Sequence, residues 1–175
     1  PSQRLEDIAL DVWKQPAGKI HRIPNGIDVK RFEKKPQRGA LPGFKKHDGE
    51  IIVGTLAGLR TIKNLPRLVR VCAAAGDNVR LIIVGEGPEK QAILDEAEKC
   101  GMRDRLLMPG FLHDPARYIG LFDIFALSSD SEQFPISLIE AMAAGLPVVA
   151  TDVGDIKSMV AQANKGFVKP LAEEA

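Results

Sequence analysis

Histidine and cysteine are scarce in this chain of 175 residues. The three histidines, His21, His47 and His113, are scattered, so no cluster has the spacing of a metal site. The two cysteines, Cys72 and Cys100, fall late in two expected helices on opposite sides of a strand. They read as reduced structural residues rather than a disulfide or a redox pair. Charge of one sign is lacking as well: the net charge is +1, which gives no electrostatic case for nucleic acid. No apolar run approaches the roughly 18 residues that span a bilayer, and no signal peptide is expected at the N-terminus. The first residue is Pro1, so the sequence reads as a fragment cut from a longer protein. What remains is ordinary for a globular domain with a sizeable core, with 45% apolar and 27% charged residues.

Periodicity divides the chain. Residues 2–13 place Leu5, Ile8, Ala9, Val12 and Trp13 on one helical face, with Ser2 as cap. A short apolar segment, 19–23, runs into a turn at Pro24-Asn25-Gly26. Residues 30–50 are rich in Lys, Pro and Gly without periodicity and read as a linker or surface loop. From 51 onward apolar runs at 51–57, 79–84, 106–108, 124–127 and 147–150, with a weak one at 166–168, alternate with helical patterns. Those patterns lie at 64–75, 88–100, 114–122, 135–144 and 155–163. Continuous apolar strands separated by helices predict an α/β fold, a parallel, doubly wound, Rossmann-like sheet. Pro88 and Pro135 suit first helical turns, and Gly101 and Gly145 suit positions just past helix ends.

The most informative stretch runs from Ser131 to Thr151. Glu132 and Glu140 stand eight positions apart, one in the loop before a helix and one within it. At 1.5 Å per residue they lie roughly 12 Å apart along the axis. That is too far for a shared-proton pair and suits gripping two ends of an extended polar ligand such as a sugar nucleotide. In α/β sheets this region flanks the crevice at the carboxyl ends of the strands.

The stretch resembles the E-x7-E signature of retaining glycosyltransferases with the GT-B fold, especially glycosyltransferase family 4. The same resemblance continues through Ile23-Pro24-Asn25-Gly26-Ile27-Asp28 with Phe32, Gly58-Leu59-Arg60-Thr61-Ile62-Lys63-Asn64, Ile83-Val84-Gly85-Glu86-Gly87-Pro88, Pro109-Gly110-Phe111 and Pro147–Gly154. The order and spacing of these segments make it specific. It implies that residues 51–175 are a C-terminal domain binding a nucleotide sugar, truncated at its C-terminus. Residues 23–50 are then a linker or lead-in loop, and 1–22 the tail of an N-terminal domain or a hinge.

By this resemblance Glu140 holds the ribose diol and Glu132 the transferred sugar. The plain alternatives are a solvated helix glutamate, which the apolar neighbours Leu138, Ile139, Ala141 and Met142 disfavour, and a helix N-terminal acid aligned with the dipole. Lys63 stands at the family's phosphate-binding lysine. The family's arginine, five positions earlier, is Gly58 here; Arg60 either takes over its role or is a solvated loop cation. The helix start at Phe134, Pro135, Ile136, Ser137 and Leu138 offers the free amides of Ile136 and Ser137 to an anion, while Pro135 has none to donate. Gln133 and Pro135 replace the usual glycines beside the Phe, and Gln133 is a candidate sugar contact. The loop with Met108, Gly110 and Phe111 corresponds to the base site. Gly85-Glu86-Gly87-Pro88 reads mainly as a tight turn facing the crevice. Asp130-Ser131-Glu132 loosely resembles a metal-binding D-x-D of another glycosyltransferase fold. Gly154-Asp155 departs from the family's Gly-Gly, and Ser158 from a frequent Glu.

The reading is a glycosyltransferase half that binds a nucleotide-diphosphate sugar without metal or cofactor. The acceptor belongs to the chain's own N-terminal domain. The implied location is cytoplasmic, with peripheral membrane association open to the full-length enzyme. A sugar-nucleotide epimerase and a non-catalytic binding or scaffolding module are the alternatives. A dehydrogenase would need a third glycine after Gly87 and an acid closing the second strand, and has neither.

Overall fold

A computed structural model describes residues 1–37 and 39–171. Arg38 and the last four positions of the expected 51–175 domain lie outside the described residues. The elements are α1 (Gln3–Asp11), β1 (Ile51–Leu56), α2 (Leu65–Ala75), β2 (Val79–Val84), α3 (Lys90–Lys99), β3 (Leu106–Gly110), β4 (Ile124–Leu127), α4 (Ile136–Ala143), β5 (Val148–Thr151), α5 (Ile156–Met159) and β6 (Val168–Lys169). The six strands are parallel and ordered β3-β2-β1-β4-β5-β6. The order reverses between β1 and β4, which opens a crevice at their carboxyl ends. The doubly wound parallel sheet is therefore observed.

Strand alternation sends the core to both faces. Val53, Leu81 and Ile83 pack against α2 and α3, while Ile52, Ile82, Phe125 and Val148 face α4 and α5. Asn64 caps α2 by accepting from the Arg67 amide at 3.3 Å. Ser2 caps α1 through the Leu5 amide at 3.1 Å. Gly101 and Gly145 have φ of +64° and +75°, the left-handed conformation that ends helices.

Several elements differ from the sequence pattern. The helix expected at 114–122 is two 3-10 turns, Pro115–Arg117 and Ile119–Leu121. Asp114 at φ +57° and Pro115 turn the chain there, and Tyr118 leaves helical geometry between the turns. The helix expected at 155–163 ends at Met159 and is followed by 3-10 geometry from Gln162 to Phe167. Pro88 precedes the cap of α3 instead of opening it, and Pro135 is the residue before α4. Residues 19–23 form no strand. The stretch 30–50 is irregular, as its composition suggests, but more than surface: Phe32 and Leu41 are buried in the same core cluster as Tyr118 and Phe122. On α1, Leu5, Ile8 and Ala9 are half-buried, whereas Val12 and Trp13 at its end are exposed.

Candidate functional site

A cleft of about 490 Å³ opens at the carboxyl ends of β1 and β2. It is lined by Leu56, Ala57, Gly58, Val84, Gly85, Glu86, Phe111, Leu112, Pro115, Tyr118 and Glu140. Glu140 reaches it from the fifth position of α4 and is half-buried. Burial pushes its carboxyl pKa up, and the Arg31 guanidinium pulls it partly back. A carboxylate with few protein hydrogen bonds, facing a cleft, is an acceptor awaiting hydroxyl donors. Among the described residues no side-chain hydrogen bond engages it.

The loop walls of this cleft are held by close backbone approach. The Ala57 amide donates to Val84 O at 3.1 Å, Leu59 to Glu86 O at 2.9 Å, and Glu89 to Leu59 O at 3.1 Å. A Cβ on Gly85 would collide with the Ala57 carbonyl, and one on Gly87 with the Leu59 backbone. The two glycines thus let the loop bearing Gly58 and Arg60 lie directly on the loop after β2. The turn expected at 85–88 is present, and its glycines support the crevice.

Glu132 faces a second cleft, of about 460 Å³, whose walls include Ser2, Arg4 and Leu5 of the α1 segment, Asp130, Gln133, Asp152 and Gly154. Lys63 Nζ donates to Glu132 Oε1 at 2.6 Å, and Ser129 Oγ donates to the same oxygen at 2.7 Å. Oε2 has no partner among the described residues. The pair is largely buried, with side-chain exposures of 16% for Lys63 and 8% for Glu132. Thr151 Oγ1 donates to Ser129 O at 2.6 Å, fixing the loop from below. Asp130 is engaged elsewhere, by Arg67 at 2.7 Å and by Asn64 Nδ2 at 3.1 Å. The D-x-D-like triplet therefore points its two acids at different cations.

Arg60 lies beside the glycine two positions before it. A Cβ built at Gly58 would lie 3.7 Å from Arg60 Nε, so the Arg60 side chain folds back over the place a residue-58 side chain would occupy. At the start of α4 the amides of Ile136 and Ser137 have no partner among the described residues. The Leu138 amide is used within the turn, donating to Pro135 O at 3.2 Å, and its side chain is fully buried. Leu138 thus belongs to the core and, unlike Ile136 and Ser137, has no unpaired amide to offer. Phe134 contributes its carbonyl to Asn25 Nδ2 at 3.2 Å, linking the Pro24-Asn25-Gly26 turn to the site. Phe111 is exposed at the cleft, whereas the half-buried Met108 side chain packs against the α2/α3 core, which leaves its backbone rather than its side chain for a base contact. Gly110, at φ +87°, accepts from the Gly85 amide at 2.9 Å and is absent from the cleft lining.

Sequence reasoning missed three groups. Tyr118 lines the cleft; burial and the charges of Glu140 and Asp114 push its hydroxyl pKa up to about 12. Its apolar surroundings in the fold, and no local motif, put it there. Gly154 has φ +59°, and a Cβ on it would collide with the Glu132 carbonyl. Asp155, buried beside it, accepts from the first amides of α1, Gln3 at 2.6 Å and Arg4 at 3.1 Å. The departure from Gly-Gly, noted in the sequence without a role, is the signal that could have found Asp155, a carboxylate that caps α1 from another part of the chain.

With this geometry in place, the comparisons decide the family. The profile described as glycosyl transferases group 1 matches residues 40–173. The chain belongs to this family. A GDP-mannose-dependent alpha-mannosyltransferase of Mycobacterium tuberculosis is 32% identical over 158 residues, covering 89% of this chain and 39% of that protein. An N-acetyl-alpha-D-glucosaminyl L-malate synthase of Bacillus anthracis is 28% identical over 156 residues, covering 88% and 41%. The chain thus spans about two fifths of the length of these relatives. Among solved structures, Anabaena Alr3699/HepE in complex with UDP and glucose superimposes with a TM-score of 0.82 at 23% identity, over 97% of this chain and 48% of that one. WaaG, a glycosyltransferase involved in lipopolysaccharide biosynthesis, gives 0.79 at 20% identity, over 93% and 46%. These likenesses show the GT-B half as the fold. No helix among the described residues is long and apolar enough to cross a membrane.

Proposed function

We propose that this glycosyltransferase domain binds a nucleotide-diphosphate sugar and transfers the sugar with retained anomeric configuration and without a metal. The acceptor is held by an N-terminal domain of the full protein. The observation that carries the reading is the half-buried Glu140 carboxylate in the cleft at the carboxyl ends of β1 and β2. Its unsatisfied oxygens suit a ribose diol. Glu132 keeps Oε2 for the hydroxyls of the sugar. Lys63 spends one of its three donors on Glu132 and retains two for phosphate oxygens. Arg60 and the Ile136 and Ser137 amides add positive potential for the leaving group. In the step itself the bond from the anomeric carbon to the diphosphate oxygen breaks, and the acceptor oxygen bonds on the same face. The acceptor proton passes to the departing diphosphate, whose charge these donors neutralise.

A cytoplasmic location belongs to the same proposal. It is supported by two free cysteines, one of them, Cys72, buried with its thiol pushed up to about 11. A scaffolding role predicts the opposite ligand behaviour and is tested with it. Ligand-observed NMR of the chain against UDP, GDP, ADP, CMP and their sugars should show saturation of one nucleotide, lost in Glu140→Ala and weakened in Lys63→Ala. Silence from a folded full-length protein would overturn the donor-site reading. The isolated chain should turn over no donor; appreciable transfer by these 175 residues would contradict the need for a second domain.

A further inference from the structure

Beyond the crevice, the strongest unassigned feature is a small basic pocket on the segment before β1. It measures about 200 Å³ and is lined by Arg31, Lys34, Lys35, Gln37, Asp114, Ala116 and Arg117. It shares no lining residue with the Glu140 cleft. Its only carboxylate, Asp114, is held by Arg31 NH2 at 2.7 Å. Lys34 and Lys35 are exposed and have no carboxylate partner among the described residues. Arg117 is held in place: its Nε donates to Gln37 Oε1 at 2.9 Å, and its carbonyl accepts from the Gln37 amide at 2.8 Å. The terminal guanidinium nitrogens thereby remain on a fixed planar group. Four cations against one paired acid leave three positive charges around a pocket with room for a small phosphate ester. The whole chain carries only +1, so the rest of the molecule is net negative and this concentration is local.

We propose that this pocket binds a phosphate monoester or diester, with Arg117 as the oriented fork and Lys34 and Lys35 as flanking charges. Two sources present this chemistry, the phosphate headgroup of an anionic lipid surface and a soluble phosphate ester. Guanidinium geometry matches two phosphate oxygens at once, and the lysines supply point charges from either side. A protein-bound carboxylate network would instead pair the lysines with acids, and none of the described acids does so. The site stands independently of the donor reading.

The test uses the 175-residue chain and the charge-reversed double variant K34E/K35E, with R117Q as a second, charge-removing variant. None of these residues lies in the donor cleft, so nucleotide affinity in the same samples reports separately on that site. One arm measures co-sedimentation with vesicles of neutral phosphatidylcholine and with vesicles containing about one-third phosphatidylglycerol. The other follows the Arg117 Nε–H NMR signal during titration with glycerol 1-phosphate. Selective sedimentation with anionic vesicles, reduced about tenfold in K34E/K35E and screened by salt, assigns the pocket to a lipid headgroup. Saturable movement of the Arg117 signal without vesicle binding, lost in R117Q and weakened in K34E/K35E, assigns it to a soluble phosphate ester. Absence of both, or binding that survives the variants undiminished, overturns the proposal.

Discussion

Glu140 shows most directly how one side chain couples function to stability. Burial favours its protonated form, so its folded-state pKa is raised. The stability this contributes is complete below the ordinary glutamate range near 4.3 and is lost as pH rises through the raised value. At neutral pH the charged carboxylate therefore costs the ligand-free fold something. Glu140→Gln should melt higher than the parent near neutral pH, with the difference vanishing by about pH 4. Calorimetry across that range checks the sign. Nucleotide affinity should move the other way, falling about 10- to 100-fold in Glu140→Gln, as expected for loss of hydrogen bonds to a charged group. In the parent, affinity should also weaken on acidification at a higher pH than an ordinary glutamate would dictate. At Gly58 and Arg60 the prediction is a rescue. Arg60→Ala should weaken nucleoside diphosphate binding about tenfold while leaving the nucleoside unaffected, because one charge-assisted contact is lost. Gly58→Arg should restore it in that background, since Gly58 has an ordinary φ and nothing but Arg60 near its missing Cβ. Failure of the rescue in isothermal titration would show that Arg60 acts elsewhere.

At the scale of elements, the loops after the strands matter more than the strands. The loop after β1 rests on Gly85 and Gly87, and the loop carrying Glu132 rests on Gly154. Gly85→Ala must displace the Ala57 carbonyl and should destabilise the chain by about 2–4 kcal/mol, readable in urea unfolding, with donor affinity lost at the same time. A mild effect would mean that the two loops are not coupled. α1 supplies a contrasting case. Asp155 adds to the local Ser2 cap and the first-turn Glu6 by reaching across the chain to the Gln3 and Arg4 amides. Asp155→Ala should raise hydrogen exchange throughout residues 3–11 while leaving the sheet protected. The sequence made the strands and α2, α3 and α4 legible, because their apolar runs and caps are local. It misplaced the 114–122 segment, whose apolar spacing is helical but whose Asp114-Pro115 turn breaks the helix locally and whose place in one core cluster with Phe32 and Leu41 is a long-range fact.

For the molecule as a whole, both core clusters share one sheet, so the two faces should unfold together. A nucleotide present at about a hundred times its dissociation constant should stabilise the native state by about 2.7 kcal/mol. For a chain of this size that corresponds to about 5–10 °C in Tm. The shift should disappear in Glu140→Gln, even though that variant starts from a higher Tm. A shift retained there would place the nucleotide elsewhere. The sequence by itself determined the parallel doubly wound fold and the family, because strand and helix periodicities and the ordered motifs are carried by neighbouring residues. It also drew attention to Glu140, Glu132, Lys63 and Arg60, of which Glu140 lines the cleft after β1 and β2 and Glu132 the neighbouring one. Only the tertiary structure decided that Lys63 and Glu132 meet in one buried pair, that Met108 and Leu138 belong to the core, and that Tyr118 borders the cleft. Those outcomes depend on which loops touch across the switch point, and contact between residues 20 to 150 positions apart leaves no periodic trace in the chain.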